Sequence, residues 1–236
     1  MSEKLTLEMA ANYAAKLRAS AGLSENEPIR IKGLLVKLGI FTRYRPLSEG
    51  LYGLSLKTSD GHRCFVLVNS NTTRGRQHFT VAHELFHLYY DAPPTPHVCK
   101  RNERKPREEQ NADLFASCLL MPSQGIFNEI PTEELRSGVS IYTILRLEQL
   151  FSVSHEAMVY RLKDLRLIQG DRARELLNLS IRDVAKGNGY DLSLYKSGNE
   201  NLTLGDFGSN ARRLYEKGKI SEGHYLELLN LISNGE

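Results

Sequence analysis

The sequence predicts an α+β fold, because short segments with strand-like alternation lie between longer segments with helical periodicity. Two helical segments come first, three strand-like segments follow them before residue 70, and helical segments dominate the remainder. Strands and helices are therefore segregated along the chain instead of alternating, which favours α+β over α/β organisation.

The composition is that of a globular protein with its own core. The chain has 236 residues, of which 41% are hydrophobic and 25% charged, and this length can bury a core without covalent staples. The formal net charge of +3 favours acidic partners only weakly and does not by itself indicate nucleic acid binding.

Cysteine use and hydropathy indicate a reducing, cytoplasmic location. Cys64, Cys99 and Cys118 are too few and too irregularly spaced for a disulfide framework. No segment approaches the roughly 20 consecutive apolar residues of a membrane-spanning helix, and the first residues lack the apolar run of a signal peptide. We therefore expect no association with a membrane.

The predicted strands lie in the first third of the chain. Residues 6–20 show a helical period, and Pro28 opens a second helix over residues 29–38 that ends at Gly39. Strands are predicted over residues 40–45, 51–57 and 64–69. We expect these strands to form a small antiparallel sheet. The third could be an edge strand that aligns a substrate peptide or a plain core strand.

The later segments are predicted to be mostly helical. Residues 76–90 and 107–120 form helices, and the intervening segment 91–106 is expected to be a loop because it contains four prolines. Residues 131–140 are interpreted as a linker. Further helices are predicted over residues 141–151, from the cap Ser154 to residue 165, and over 211–217 and 221–232, whereas 170–205 has no clear periodicity.

The helix predicted over residues 76–90 carries an H-E-x-x-H motif, His83-Glu84-Leu85-Phe86-His87. Histidines four residues apart on a helix differ by about 40° in azimuth and about 6 Å along the axis, so they share one face. They can then bind one metal ion, while Glu84 can act as a general base on a water molecule. An ordinary amphipathic helix with two hydrogen-bonded histidines could have the same residues at the same spacing, so a metal site needs support from elsewhere in the sequence.

Support comes from a second motif, Glu109-Gln110-Asn111-Ala112-Asp113, on the next predicted helix. Glu109 can supply a third metal ligand, and Asp113 can accept the spare N–H of a liganding histidine. Glu108 has the same carboxylate chemistry, but the one-turn spacing to Asp113 favours Glu109. Three such ligands and an open fourth position are typical of catalytic zinc, although manganese or iron would also fit.

The chain resembles the ImmA/IrrE family of zinc metallopeptidase-like proteins. That family's pattern is R-x-x-F-T-x-A-H-E-x-x-H followed by E-x-x-A-[ND]-x-F-A-x-x-L-L-M-P, and residues 76–87 and 109–122 match it. The resemblance implies a zincin-like fold in which His83, His87 and Glu109 bind one zinc ion and Glu84 is the base. It also implies a regulatory protease whose protein substrate is a partner Xre-type helix-turn-helix repressor.

Two details near these motifs leave alternatives open. Phe86 stands where relatives often carry glycine, so its ring could narrow the substrate cleft. His97 and Cys99 form an H-x-C pair between the two motifs and could cap the metal as an inhibitory fourth ligand, since thiolates bind zinc well. Nothing else in the sequence supports that second reading.

The helices after residue 140 allow a different function. They could form a helix-turn-helix in which His155, Arg161 and Lys163 contact DNA, although two permanently basic side chains are thin evidence and packing against the first domain is favoured. The alternative function is then a non-proteolytic, antitoxin-like regulator with a structural zinc.

The domain organisation follows from these assignments. We predict a metallopeptidase domain over residues 1–130, a helix-turn-helix-like module over residues 131–170, and a mainly helical C-terminal extension over residues 171–236.

Overall fold

The computed structural model describes residues 4–58, 60–91, 97–100 and 106–233. Two helices and three strands come first in chain order: α1 Leu7–Ser20, α2 Ile31–Lys37, β1 Phe41–Arg45, β2 Leu51–Lys57 and β3 Cys64–Asn69. The side chain of Thr6 accepts a hydrogen bond from the backbone N–H of Met9, which explains why α1 begins after it. The α+β class is confirmed.

Two long helices and a short strand follow: α3 Arg74–Tyr90, β4 His97–Lys100 and α4 Arg107–Leu120. The prediction of a loop over residues 91–106 is wrong at β4, which pairs with β2. A strand of four residues between prolines is too short for its alternation to be recognised. The rest of that predicted loop, residues 92–96 and 101–105, lies outside the described residues.

Among the described residues, the sheet contains five strands in the order β4-β2-β3-β1-β5, where β5 is Thr203–Leu204. Strand β1 runs parallel to β3, whereas the other neighbouring pairs are antiparallel. The expectation of a purely antiparallel sheet is therefore wrong for one pair, because hydrophobic alternation predicts a strand but not its direction. Strand β3 lies inside the sheet, so its interpretation as an edge strand is also wrong, and β4 is at the edge.

The remaining described elements are almost all helical: α5 Ser123–Glu129, α6 Thr132–Ser137, α7 Ile141–Phe151, α8 His155–Asp164, α9 Gly170–Leu177, α10 Ile181–Gly187, a 3-10 helix Ser193–Tyr195, α11 Phe207–Glu216 and α12 Glu222–Ser233. The predicted helix over residues 141–151 and the cap at Ser154 are confirmed. The predicted linker over residues 131–140 is wrong in part, because α6 occupies most of it.

Helix α4 is held at its C-terminal end by two buried arginines from distant helices. Arg18 on α1 donates from Nε and Nη2 to the carbonyl oxygen of Leu119, and Arg161 on α8 donates from Nε to that of Met121. Burial lowers the pKa of Arg18 to about 10. Cations that donate hydrogen bonds to the last carbonyl groups of a helix also interact favourably with the negative end of its dipole. Both arginines therefore stabilise the position of α4 against its neighbours.

The main hydrophobic core runs through the sheet and most of the helices. Leu85 on α3, Phe115 on α4, Leu147 on α7 and Leu162 on α8 all belong to the same buried cluster. The domain boundaries at residues 130 and 170 stay a prediction. Among the described helices, none combines the length and apolar character that crossing a membrane requires.

Candidate metal centre

The side chains of His83, His87 and Glu109 converge between α3 and α4. Nε2 of His83 lies 3.2 Å from Nε2 of His87 and 3.3 Å from Oε2 of Glu109. Nε2 of His87 lies 3.6 Å from Oε1 of Glu109. All three residues are buried. Glu109 is therefore the carboxylate that joins the two histidines, as the spacing of the motifs predicts.

These distances fit a metal ion. Tetrahedral zinc with bonds of about 2.0–2.1 Å places its ligand atoms about 3.3 Å from one another. The Nε2 atoms of His83 and His87 lie 3.2 Å apart, and they lie 3.3 Å and 3.6 Å, respectively, from the two different carboxylate oxygens of Glu109. Two imidazoles and a carboxylate are also a suitable donor set, so these residues could hold a metal ion.

A carboxylate lies behind each histidine. Oδ1 of Asp113 on α4 is 2.9 Å from Nδ1 of His83, as expected. Asp91, which the sequence analysis did not single out, is hydrogen-bonded through Oδ2 to Nδ1 of His87. Its signal in the sequence is a carboxylate four residues after the second histidine. Such partners fix the tautomer and the orientation of a ring, leaving Nε2 to face the other donors.

Glu84 is completely buried beside this group, where α3 packs closely on Gly53 of β2. A Cβ atom on Gly53 of β2 would come within 2.7 Å of Cγ2 of Thr80 and 2.8 Å of the carbonyl oxygen of Leu67. The same position is 3.8 Å from Oε1 of Glu84. The close approach of Thr80 on α3 to the sheet therefore depends on glycine at this point, one turn before Glu84 on the same helix.

Cys99 on β4 is the other residue that the structure brings to the centre. The ligand atoms of Cys99, His83 and Glu84 lie within 4.8 Å of one another, and all three residues are buried. The sequence left open the alternative that Cys99, together with His97, binds the metal. The side chain of His97 is outside what the structure describes.

The environment of His83 favours its protonated form in the absence of a metal. Burial alone lowers the pKa of His83, but hydrogen bonds with Asp113, Cys99 and Glu109 outweigh burial and raise the pKa well above its usual value. A cation at this place is thus stabilised by the surrounding groups, and a metal ion must displace the proton to bind.

Phe86 does not narrow a cleft, and that expectation is wrong. Its side chain is 3% exposed, and its ring packs against those of Phe115 and Tyr90, with centroid distances of 5.6 Å and 5.8 Å. The ring also meets the imidazole of His87 edge-on. Residue 86 therefore stabilises the packing of α3 on α4 and supports His87 from behind.

Two of the side chains proposed to contact DNA are buried. His155 on α8 is hydrogen-bonded to Glu148 and to the carbonyl oxygen of Leu176, and the guanidinium of Arg161 is bonded to the end of α4. Only Lys163 of the three is exposed. Helix α8 thus presents little of the basic surface that phosphate contacts require.

The α+β fold brings two histidines and a glutamate together at a possible metal site. A family model, Peptidase_M78, described as the IrrE N-terminal-like domain, matches residues 36–163. This match covers more than half of the 236 residues, and the chain belongs to this family. The resemblance to ImmA/IrrE proteins is confirmed. A search of curated proteins found no match. The family supports peptidase activity that depends on a metal and acts on a protein substrate.

Proposed function

We propose that the protein is a zinc-dependent metalloendopeptidase in which His83, His87 and Glu109 hold one zinc ion. The observation that carries this proposal is the set of mutual distances of 3.2–3.6 Å between their donor atoms. Zinc is favoured over harder cations because two of the donors are imidazoles. Asp113 and Asp91 orient the rings from behind.

Glu84 is proposed as the general base. Zinc, when bound, would polarise the scissile carbonyl group and lower the pKa of a water molecule toward about 7. The carboxylate of Glu84 would accept a proton from the attacking water and deliver it to the leaving amine nitrogen. Its burial beside His83 removes competing solvent and supports this role.

The proposed substrate is a partner repressor of the Xre helix-turn-helix type, and the proposed role is the regulation of transcription by cleaving it. The resemblance to the ImmA/IrrE family suggests this substrate, and the peptidase family match supports a protein substrate in general. A reducing, cytoplasmic setting is consistent with three cysteines that are all free. We retain residues 1–130 as the proposed peptidase domain.

The decisive experiment separates catalysis from metal binding. Glu84→Gln should abolish cleavage of a candidate repressor, such as one encoded beside this gene, while elemental analysis still finds one zinc ion per chain. Cleavage at the wild-type rate by this variant would exclude Glu84 as the base.

A matched pair of variants tests the ligand set. Glu109→Gln should lose zinc, because an amide replaces the anionic donor, whereas Glu108→Gln, one residue away on the same helix, should keep it. The proposal fails if both variants, or neither, retain the stoichiometry of the wild type.

A further inference from the structure

We propose that Cys99 is a fourth protein ligand of the metal, so that a thiolate closes the centre in the resting protein. This inference rests on the proposed function, since it concerns the regulation of the same site. Neither the family match nor the H-E-x-x-H motif assigns a role to this cysteine.

The strand register directs Cys99 toward the metal helix. In the antiparallel pair of β2 and β4, Cys99 lies directly opposite Gly53. Residues directly opposite in such a pair point to the same face of the sheet. The Cβ direction of Gly53 leads to Thr80 and Glu84 on α3, so the side chain of Cys99 points to that helix as well.

The burial pattern of β4 agrees with this direction. Cys99 is 7% exposed, whereas its neighbour Val98 is 43% exposed, as alternation along a strand requires. If Cys99 faces α3, Val98 must point to the opposite face of the sheet, and their exposures agree with this arrangement. The position of the thiol is therefore set by the sheet.

The chemistry of the group favours metal binding by the sulfur. The ligand atoms of Cys99, Glu84 and His83 lie within 4.8 Å of one another, and His83 also belongs to the three-donor group. Thiolate is a strong zinc ligand with a bond of about 2.3 Å, longer than the bond to imidazole. The sulfur of Cys99 therefore lies close to both Glu84 and His83, and it would be within reach of a metal ion bound by His83.

A fourth protein ligand has a functional consequence. Catalytic zinc sites keep one position open, whereas sites with four protein ligands are closed. With Cys99 bound, Glu84 would have no water to activate, and the peptidase would be inactive until the thiolate left. Strand β4 has only four residues and lies at the edge of the described sheet, where a local displacement costs little.

The test uses cobalt(II) in place of zinc in the full chain. A thiolate ligand produces a near-ultraviolet sulfur-to-cobalt charge-transfer band, which nitrogen and oxygen donors do not. We expect this band in the wild-type protein at one cobalt per chain, and its loss on adding zinc. Cys99→Ser should lose the band while still binding one cobalt.

The other cysteines provide controls for this assignment. Cys64 lies on β3, and Cys118 on α4 has its sulfur 3.6 Å from Nη1 of Arg161. Cys64→Ser should keep the band. Cys99→Ala, a second variant at the site, should lose it, and an unchanged far-ultraviolet circular dichroism spectrum verifies that both variants at Cys99 fold.

The outcomes distinguish the two proposals. One bound cobalt without a charge-transfer band in the wild-type protein overturns the role of Cys99 and leaves the proposed peptidase standing. A band that survives in Cys99→Ser or disappears in Cys64→Ser also overturns it. No cobalt binding by the wild-type protein overturns both proposals.

Discussion

Nδ1 of His155 on α8 lies 2.6 Å from Oε1 of Glu148 on α7, in a buried pair remote in sequence from both metal-binding motifs. Nε2 of the same ring lies 2.9 Å from the carbonyl oxygen of Leu176, and Glu148 also accepts a hydrogen bond from the hydroxyl of Tyr195. A carboxylate and a carbonyl oxygen can only accept, so both ring nitrogens must donate. With Glu148 ionised, these contacts favour the imidazolium form of His155, and the ring joins α7, α8 and α9.

The stability of this part of the fold should depend on pH through His155. Burial alone lowers the pKa of His155, but the hydrogen bond and charge of Glu148 and the carbonyl of Leu176 raise it above its usual value. A raised folded-state pKa stabilises the protein fully below the unfolded value of about 6.5, and this contribution is lost as pH rises through the folded-state pKa.

Urea unfolding of the wild-type protein and of His155→Gln, measured from about pH 6 to about pH 9, tests this expectation. The difference in the free energy of unfolding between the two proteins should shrink as pH rises. Taking the difference removes contributions from other histidines, such as His83. A difference that stays constant with pH would show that folding does not shift the pKa of His155, and a difference that grows with pH would show that the folded state favours neutral His155.

Gly53→Ala should destabilise the protein and disturb the metal centre. The new methyl group would lie 2.7 Å from Cγ2 of Thr80 on α3 and 2.8 Å from the carbonyl oxygen of Leu67 on β3, so the local packing of both elements on β2 must shift. Overpacking of this kind costs about 1–3 kcal/mol. Chemical denaturation measures the loss, and zinc titration of the same variant should show weaker binding.

Gly170→Ala provides the comparison for Gly53→Ala. A Cβ at Gly170, the first residue of α9, would have no neighbour within 4 Å, so this variant should be neutral or slightly more stable. If the two variants lose equal stability, the close packing of Thr80 on Gly53 is not the cause.

Asp91→Asn should weaken zinc binding without removing it. The amide cannot match the carboxylate that holds Nδ1 of His87, and loss of such a partner typically lowers metal affinity by about 10–100-fold. Competition with a chromophoric chelator measures the change. Asp171→Asn, an exposed change on α9, should have no effect, and equal affinities for the two variants would remove Asp91 from the metal centre.

Helices were the best predicted elements of this fold. The segments 107–120 and 141–151 agree with α4 and α7 residue for residue, because an amphipathic period and a clear start or stop are both local features. Strand β4 was missed, and the parallel pairing of β1 with β3 was not foreseen. Pairing partner and direction depend on segments that are far apart in sequence.

The candidate site shows the same division. The spacing of His83 and His87 determines that their side chains share one face of α3. The same spacing of four residues places Glu109 and Asp113 on one face of α4. Helical geometry alone is sufficient for these inferences. Asp91 is only four residues from His87 in the sequence. The structure was needed to show that α3 ends just before Asp91 and that the carboxylate of Asp91 is hydrogen-bonded to the ring of His87.

The sequence by itself determined the class of fold, the helices that carry the motifs and the donors on each helix face, because these follow from backbone periodicity within short segments. Only the tertiary structure decided that Cys99 faces Glu84, that Phe86 is buried and that His155 is a buried structural residue paired with Glu148. Those outcomes depend on strand register and on the packing of distant helices, which determine the surroundings, and so the chemistry, of each side chain.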